Sequence, residues 1–374
     1  MGINPVFSAH TWESVPFQFW SLCFFVFGCI VGSFLNVCIY RMPRGLSLVS
    51  PPSHCPHCKY SIPWYLNIPL VTWLVLRGRC KNCGAPISPR YFIVELLTGA
   101  AFLGCWLRFG NVDHPLPSIP LALVYAAFLA GLIVATFIDF EHLIIPDEIT
   151  FGGIAVGLLV SFLLPQMHDA TLRRFGLLNS FIGAVVGAGI IYALVRLGKL
   201  VFGRHRVKLP EETKIIFSET SVRLPDKEIS YDDLFYRKSD AIVLHARTVE
   251  LVDRGYKDVT VRLSPSTLEI GAEKMSPDNV LFMECVSAEI VLPREAMGLG
   301  DVKFMSAIGA FIGWQGVIFS LMVSSMIGAA VGLALIIARR REFSSRMPYG
   351  PYIALAAVVW LFIGKQFWMM LFQE

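Results

Sequence analysis

The stretch PLALVYAAFLAGLIVATFIDFEHLIIPDEIT (120–150) has no charged residue from Pro120 to Ile138, and then meets Asp139. At about 1.5 Å of rise per residue, a helical run of that length reaches across most of a hydrocarbon core roughly 30 Å thick. An ionisable side chain at the end of a membrane span is either a solvated interfacial group or a functional one. Taken alone, Asp139 is divided evenly between the two.

Outward from this stretch, similar apolar runs recur at 17–39, 91–109, 149–165, 177–202, 301–313, 315–338 and 351–372, with the quoted run placed at 119–139. The run at 301–313 is short for a full crossing unless it begins in a cavity. The whole chain is 55% hydrophobic and only 16% charged, which excludes an ordinary soluble domain of its size. The sequence therefore predicts an all-α polytopic membrane protein of about eight transmembrane helices, interrupted by two polar segments. Its predicted divisions are a first transmembrane helix at 1–40, a polar loop at 41–90, transmembrane helices at 91–203, a soluble insert at 204–294 and further transmembrane helices at 295–374. No Lys or Arg precedes the first apolar run and no small-residue cleavage site closes it, so that span is read as retained.

Charge placement predicts the orientation. Seven Lys or Arg residues and no carboxylate lie from Arg41 to Arg90, whereas 1–17 and 110–118 contain no Lys or Arg. By the positive-inside rule 41–90 is cytoplasmic. The Arg196–Lys208 cluster and the Arg339, Arg340, Arg341 and Arg346 loop fall on the same side; Arg173 and Arg174 are the exception.

The segment 204–294 holds about half of the charged residues. Within it TKIIFSETSVRL (213–224), AIVLHARTVELV (241–252) and DVTVRLSPSTLEI (258–270) alternate apolar and polar residues and read as short strands of a cytoplasmic β-rich insert. Acidic and basic residues nearly balance there, so nucleic-acid binding is not expected, and the insert is a candidate site for an unknown partner.

Three constellations carry chemistry. In the first, CPHC (55–58) and RCKNC (79–83) set Cys55, Cys58, Cys80 and Cys83 as two CxxC pairs separated by 21 residues. Two such turns supply four soft ligands in the tetrahedral set that a structural zinc ion takes, and a reducing cytoplasmic loop disfavours disulfides. His54 and His57 are read as solvated, and Cys23, Cys29, Cys38, Cys105 and Cys285 lack paired spacing. The second constellation is Asp139 with IPD (145–147). The third is GLGD (298–301), which opens an apolar run with Asp301 behind Gly298 and Gly300. Glycines permit backbone geometry closed to other residues and close approach of a substrate backbone, so Gly298 and Gly300 are read as substrate-access positions. The alternative is that the glycines serve helix packing and that Asp301 complements a helix N-terminus. Asp139 and Asp301 fall at the cytoplasmic ends of their spans, at matching depth. Two carboxylates that meet there form a catalytic pair of the aspartic-protease kind, sharing one proton.

These residues resemble the type IV prepilin peptidase family. GSFLNVCIYRMPRG (32–45), the two CxxC pairs, SPRYFIVELLTG (88–99), FIDFEHLIIPDEIT (137–150), GLGDVKFM (298–305) and MPYGPYIALA (347–356) are similar to family blocks in family order. The resemblance implies a GxGD-type intramembrane aspartyl protease with Asp139 and Asp301 as catalytic residues. It implies cleavage of a prepilin or pseudopilin leader just after a glycine, at the cytoplasmic face of the bacterial inner membrane. It further implies methylation of the new N-terminus with S-adenosylmethionine, an activity placed in the region of Gly32, Asn36, Arg41, the cysteine loop and Glu95. The residues themselves show no glycine-rich loop for the methyl donor, whose ligands are left unassigned. The chain departs from the family in the insert, which separates the aspartates by 162 positions. A peptidase without methyltransferase activity and a silent scaffold of a pilus or secretion apparatus are alternatives. So is a proton-coupled transporter, although no pair of related halves is visible.

Overall fold

The computed structural model describes residues 15–372 apart from 203, 211–212, 226, 232–233, 236–239, 252, 294–297 and 339–347. The N-terminal stretch 1–14 and the basic Arg339–Arg346 loop thus lie outside the described residues. The chain divides into two compact units, Met1–Ile191 with Leu299–Glu374, and Tyr192–Gly298.

The first unit is helical: α1 (Phe17–Arg41), a short α2 (Val71–Val75) within the polar loop, α3 (Pro89–Phe109), α4 (Pro115–His142), α5 (Asp147–Leu163), α6 (Arg173–Phe202, which runs on into the second unit), α7 (Leu299–Ile337), α8 (Gly350–Val359) and α9 (Lys365–Phe372). A π turn, Trp360–Gly364, joins α8 to α9. Among the described residues, six helical stretches are long and apolar enough to cross a membrane, which makes this a multi-pass membrane protein. The difference from the eight expected runs lies in α5 and α7. At 17 residues α5 is about 26 Å long, a little short of the hydrocarbon core. At 39 residues α7 would be about 58 Å if straight, nearly twice that thickness.

It is not straight. Gly313 breaks the helix with φ 73° and ψ 175°, a conformation that needs glycine. A Cβ placed on Gly309 would lie 2.9 Å from Val317 Cγ2. Residues eight apart in a continuous helix are separated by about 12 Å along the axis, so the chain folds back at Gly313 into two arms, 299–312 and 314–337.

Every residue from Phe304 to Gly313 is buried. A helix apolar all round belongs in a core, and this arm is enclosed by its neighbours. On α5, Gly153 faces Ala307 and Gly157 faces Ala310 and Phe311, so the two run in the same direction. On α6, Gly183 meets the Gly309 carbonyl and Gly187 the Met305 carbonyl, so α6 runs the opposite way. Ser180 Oγ donates to the Ala310 carbonyl at 2.7 Å, and Phe128 of α4 stacks on Phe311 at 4.6 Å. Association through glycine-lined backbone contact is the usual solution where lipid removes the hydrophobic drive. The same device joins α1 to α3: Gly28 and Gly32, four apart, press on Thr98, Phe102 and Glu95, and a Cβ at either would approach a heavy atom to 2.8 Å.

The second unit is a ten-stranded antiparallel sheet structure. Its main path runs β4 (Lys227–Ser230), β3 (Ser221–Leu224), β2 (Lys214–Ser218), β9 (Phe282–Val286), β5 (Ile242–Leu251), β6 (Gly255–Leu263), β7 (Leu268–Ile270), β8 (Glu273–Met275). β10 (Glu289–Pro293) joins β5, and β1 (Arg204–Lys208) joins β10. Alternating inward residues such as Ile215, Phe217, Ile242, Leu244 and Val261 form one apolar core. This is the period-two pattern of a half-buried strand.

Two substitutions test the packing. Gly183→Leu forces a side chain into the Gly309 backbone and should lower the melting temperature in detergent sharply or prevent recovery of folded protein. Gly131→Ala, whose Cβ would meet nothing within 4 Å, should leave it unchanged or raise it slightly. Equal melting curves for wild type and Gly183→Leu would contradict the crossing.

Candidate active site

Asp139 lies in the last turn of α4 and is only 6% exposed. Its Oδ2 accepts a hydrogen bond from the Gly350 N–H at 2.9 Å. Gly350 is the first residue of α8, so this N–H has no helical carbonyl to serve, and a carboxylate from another helix satisfies it at the positive end of the α8 dipole. A Cβ there would stand 2.7 Å from Oδ2 and 3.2 Å from Ile145 Cδ1, so any larger residue displaces the carboxylate.

The chain leaves α4 through Leu143, in the left-handed region at φ 54°, whose N–H returns to the Asp139 carbonyl at 3.0 Å. Pro146 then starts α5, with Asp147 and Glu148 in its first turn. This tight reversal sets Ile145 against Gly350 on one side and Gly300 on the other, where a Cβ would meet Ile145 Cβ at 3.6 Å. Lys303 Nζ holds Asp147 Oδ1 at 2.6 Å, a second tie between the first turns of α7 and α5. Asp301, partly buried in the first turn of α7, is thereby carried to the corner that holds Asp139. The two acidic segments lie at the same end of the helical unit. Arg90 of α3 and Glu141 of α4 form an ion pair next to them.

The expected special backbone is absent at Gly300. Gly300 does not adopt a left-handed backbone; it is helical and partly exposed, with only ordinary contact to Ile145. Gly350 was the residue that sequence reasoning left without a role. Its signal was the Gly-Pro pair at the start of an apolar run, which marks a helix N-terminus in need of a cap.

The four cysteines converge. Cys55, Cys58, Cys80 and Cys83 present sulfurs that all lie within 4.8 Å of one another, and Cys55 Sγ and Cys83 Sγ are 3.8 Å apart. A tetrahedral ion with metal–sulfur bonds of about 2.3 Å sets its sulfurs about 3.8 Å apart. Both turns are built alike. The Cys55 N–H bonds to Tyr60 O and Lys59 N–H to Cys55 O, as Cys80 N–H does to Ala85 O and Gly84 N–H to Cys80 O, with Lys59 and Gly84 left-handed. The Asn82 amide, followed by the Tyr60 backbone, lowers the Cys58 thiol to about 6. Cys83, despite the Ala85 amide that favours its thiolate, is pushed up to about 12 by desolvation and the neighbouring sulfurs. Four thiols so placed cannot all ionise without a cation among them, and this donor set fits a structural metal. His54 is exposed and turned to the Pro52 carbonyl at 3.0 Å, outside the cluster.

A third grouping joins the same loop to α1 and α3. Glu95, 8% exposed, accepts the Leu70 N–H at 2.8 Å, and Asn36 Nδ2 donates to the Tyr91 carbonyl at 3.1 Å. Asn36 Oδ1 is buried and has no hydrogen-bond partner among the described residues. Arg41 closes the start of the loop through the Ser47 and Pro51 carbonyls at 2.8 and 2.6 Å.

The fold and these residues define a multi-pass membrane protein with two acidic segments at one end of its helices and a four-thiol loop. A model described as Bacterial Peptidase A24 N-terminal domain matches residues 26–109, and one described as Type IV leader peptidase family matches 126–209 and 279–333. A prepilin leader peptidase/N-methyltransferase of Myxococcus xanthus is 30% identical over 334 residues, covering 88% of this chain and 68% of that protein. One of Aeromonas hydrophila is 27% identical over 380 residues, covering 94% and 93%. A type 4 prepilin-like proteins leader peptide-processing enzyme of Escherichia coli is 38% identical over 196 residues, covering 48% and 68%. No solved structure matches the chain. The chain belongs to the type IV leader peptidase family. The two matched parts are separated by 210–278, which is most of the insert.

Protein purified without chelator and exchanged with Co²⁺ should bind one ion per chain with the intense sulfur-to-metal absorption of a tetrahedral thiolate site. Cys55→Ser combined with Cys80→Ser should abolish that absorption. A spectrum of octahedral, oxygen-bound cobalt would reject the site.

Proposed function

We propose that this chain cleaves the N-terminal leader of a prepilin or pseudopilin after a glycine, at the cytoplasmic face of the inner membrane, and then methylates the new N-terminal amine. The observation that carries the reading is the meeting of the two acidic segments: Gly350 and Gly300 flank Ile145, while Gly350 holds the Asp139 carboxylate. Membership of the family, with relatives named for both activities, supports it.

Eight crossings suit the described helices if α5 spans a slightly thinned or tilted path and the two arms of α7 cross separately. The arm 299–312, about 21 Å long, is then the short crossing that begins in a cavity. With 41–90 cytoplasmic, Asp139 and Asp301 both come to the cytoplasmic side.

In this reading Asp139 and Asp301 are the catalytic residues of a GxGD-type aspartyl protease. Two neighbouring carboxylates share one proton, and the titration belongs to the pair. The ionised member takes a proton from water as its oxygen attacks the scissile carbonyl. The protonated member polarises that carbonyl and then supplies the proton on which the leaving amine departs. Gly350 fixes the Asp139 rotamer, and the partly exposed Gly300, without a Cβ, leaves room for an extended peptide to approach Asp301.

Cys55, Cys58, Cys80 and Cys83 would hold zinc. Four protein ligands leave no open position, so the ion supplies folding energy to the 41–90 loop. S-adenosylmethionine supplies an electrophilic methyl group. The unpartnered buried Asn36 Oδ1, with the Glu95 carboxylate in the same α1–α3 grouping, offers acceptors that suit its ammonium and ribose hydroxyls.

Incubation with a prepilin and labelled methyl donor, followed by mass analysis of the mature N-terminus, tests both activities. Asp139→Asn and Asp301→Asn should each lower cleavage by about 10²-fold or more while the protein stays folded. Gly350→Ala, which displaces Asp139, should lower it as well. Cleavage at the wild-type rate by both Asn variants would reject the pair.

A further inference from the structure

A cavity of about 520 Å³ opens at the other end of the helical unit from Asp139 and Asp301. Its walls are the end of α3, the α4 residues Leu121 and Tyr125, the turn 166–169, the break at Gly313, and the π turn with α9. The volume lies in the range of ligand pockets, roughly 300–1,000 Å³. Two irregular points within long helical stretches, the left-handed Gly313 and the π turn Trp360–Gly364, both line it. Single π turns inside helices mark functional sites often enough to direct attention there.

The lining has two faces of different chemistry. One is aromatic: Trp368 stands edge-on to both Trp314 and Trp360, with ring centroids 6.1 Å apart in each pair. The other is cationic. Arg108 donates its Nε to the Phe362 carbonyl of the π turn at 3.3 Å, and among the described residues its terminal nitrogens have no partner. Lys365 is paired with Asp169, so the three charged side chains on the cavity carry a net positive charge. Asn179 and Gln315 also line it, and their side-chain amides have no partners among the described residues. His168 uses one ring nitrogen on Ser161 Oγ at 2.9 Å, and burial holds the imidazole below its ordinary range, so it adds no charge near neutral pH.

A guanidinium with free terminal N–H groups, a nearby ammonium, two amide side chains and a tryptophan cluster at the end of a membrane bundle match a phosphate group carried on a partly apolar molecule. Tryptophan and basic side chains concentrate at headgroup depth. We propose that this cavity binds a phosphate-bearing ligand, with Arg108 and Lys365 on the phosphate oxygens, Asn179 and Gln315 as further donors, and Trp314, Trp360 and Trp368 against the rest of the molecule. A phospholipid headgroup and a soluble phosphate ester present the same chemistry. The site is separate from the acidic pair, and the proposal does not depend on the peptidase reading.

The experiment uses the full chain, delipidated in detergent. Phosphatidylglycerol and phosphatidylethanolamine are titrated in mixed micelles, and inorganic phosphate and glycerol 3-phosphate in parallel, with binding read by native mass spectrometry and Trp fluorescence. Arg108→Ala and Lys365→Ala should each weaken binding by about ten-fold or more. Arg254→Ala, an exposed residue of the insert, should not. Saturable binding of the lipids alone identifies a headgroup; equal binding of the soluble phosphates identifies a free ester. Absence of saturable binding of every probe, or affinities unchanged in both cavity variants, overturns the proposal.

Discussion

One arm of α7 has no face toward lipid, and the rest of the helical unit is arranged around that constraint. Residues 304–313 are buried on every side, so α5 and α6 must approach on opposite flanks at backbone distance. Side chains larger than hydrogen at 183, 187 and 309 would hold the helices apart, and the arm would then expose polar backbone to the gap. The reversal at Gly313 serves the same end. A straight 39-residue helix would be about 58 Å long, whereas the reversal doubles the chain back on itself. Asp301 stands at the mouth of this enclosed arm, so its position is set by the packing of an entire helix, not by a loop.

The acidic corner obeys a related rule. The first N–H groups of α8 have no helical acceptors, and burial denies them water. Asp139 answers one of them from a distant helix, so the same contact caps α8 and fixes the carboxylate. The partners are 211 positions apart in the chain. A carboxylate held this way has its orientation fixed by the helix it caps.

Much of this was legible in the residues. The apolar runs are set by the length that lipid demands, and the strands of the insert by strict alternation, so both appear in a single sequence. The cysteine cluster was legible because a CxxC turn has one local geometry that the rest of the fold does not alter. What stayed hidden was contact between distant elements. Gly350 reads as a helix start, and nothing local says that its N–H goes to Asp139. Gly298 and Gly300 suggest a special backbone, but the left-handed glycine of α7 is Gly313, at the division between the runs 301–313 and 315–338. The Gly28–Gly32 spacing was available as a small-residue packing motif, yet its partner on α3 was not.

The insert explains how a long interruption need not disturb the acidic corner. Its first strand, β1, pairs with its last, β10, in antiparallel register from Arg204 opposite Pro293 to Lys208 opposite Glu289. Opposed residues in such a ladder are about 5 Å apart, so the chain enters and leaves the sheet almost at one point. The core of Ile215, Phe217, Ile242, Leu244 and Val261 closes within the insert itself. A domain with its own core and adjoining ends can be added between two helices without stretching either. The constraint that α6 and the buried arm of α7 impose on each other through Gly183 and Gly309 therefore survives an interval of more than a hundred residues in the chain, because the sheet brings the entry and exit of that interval together.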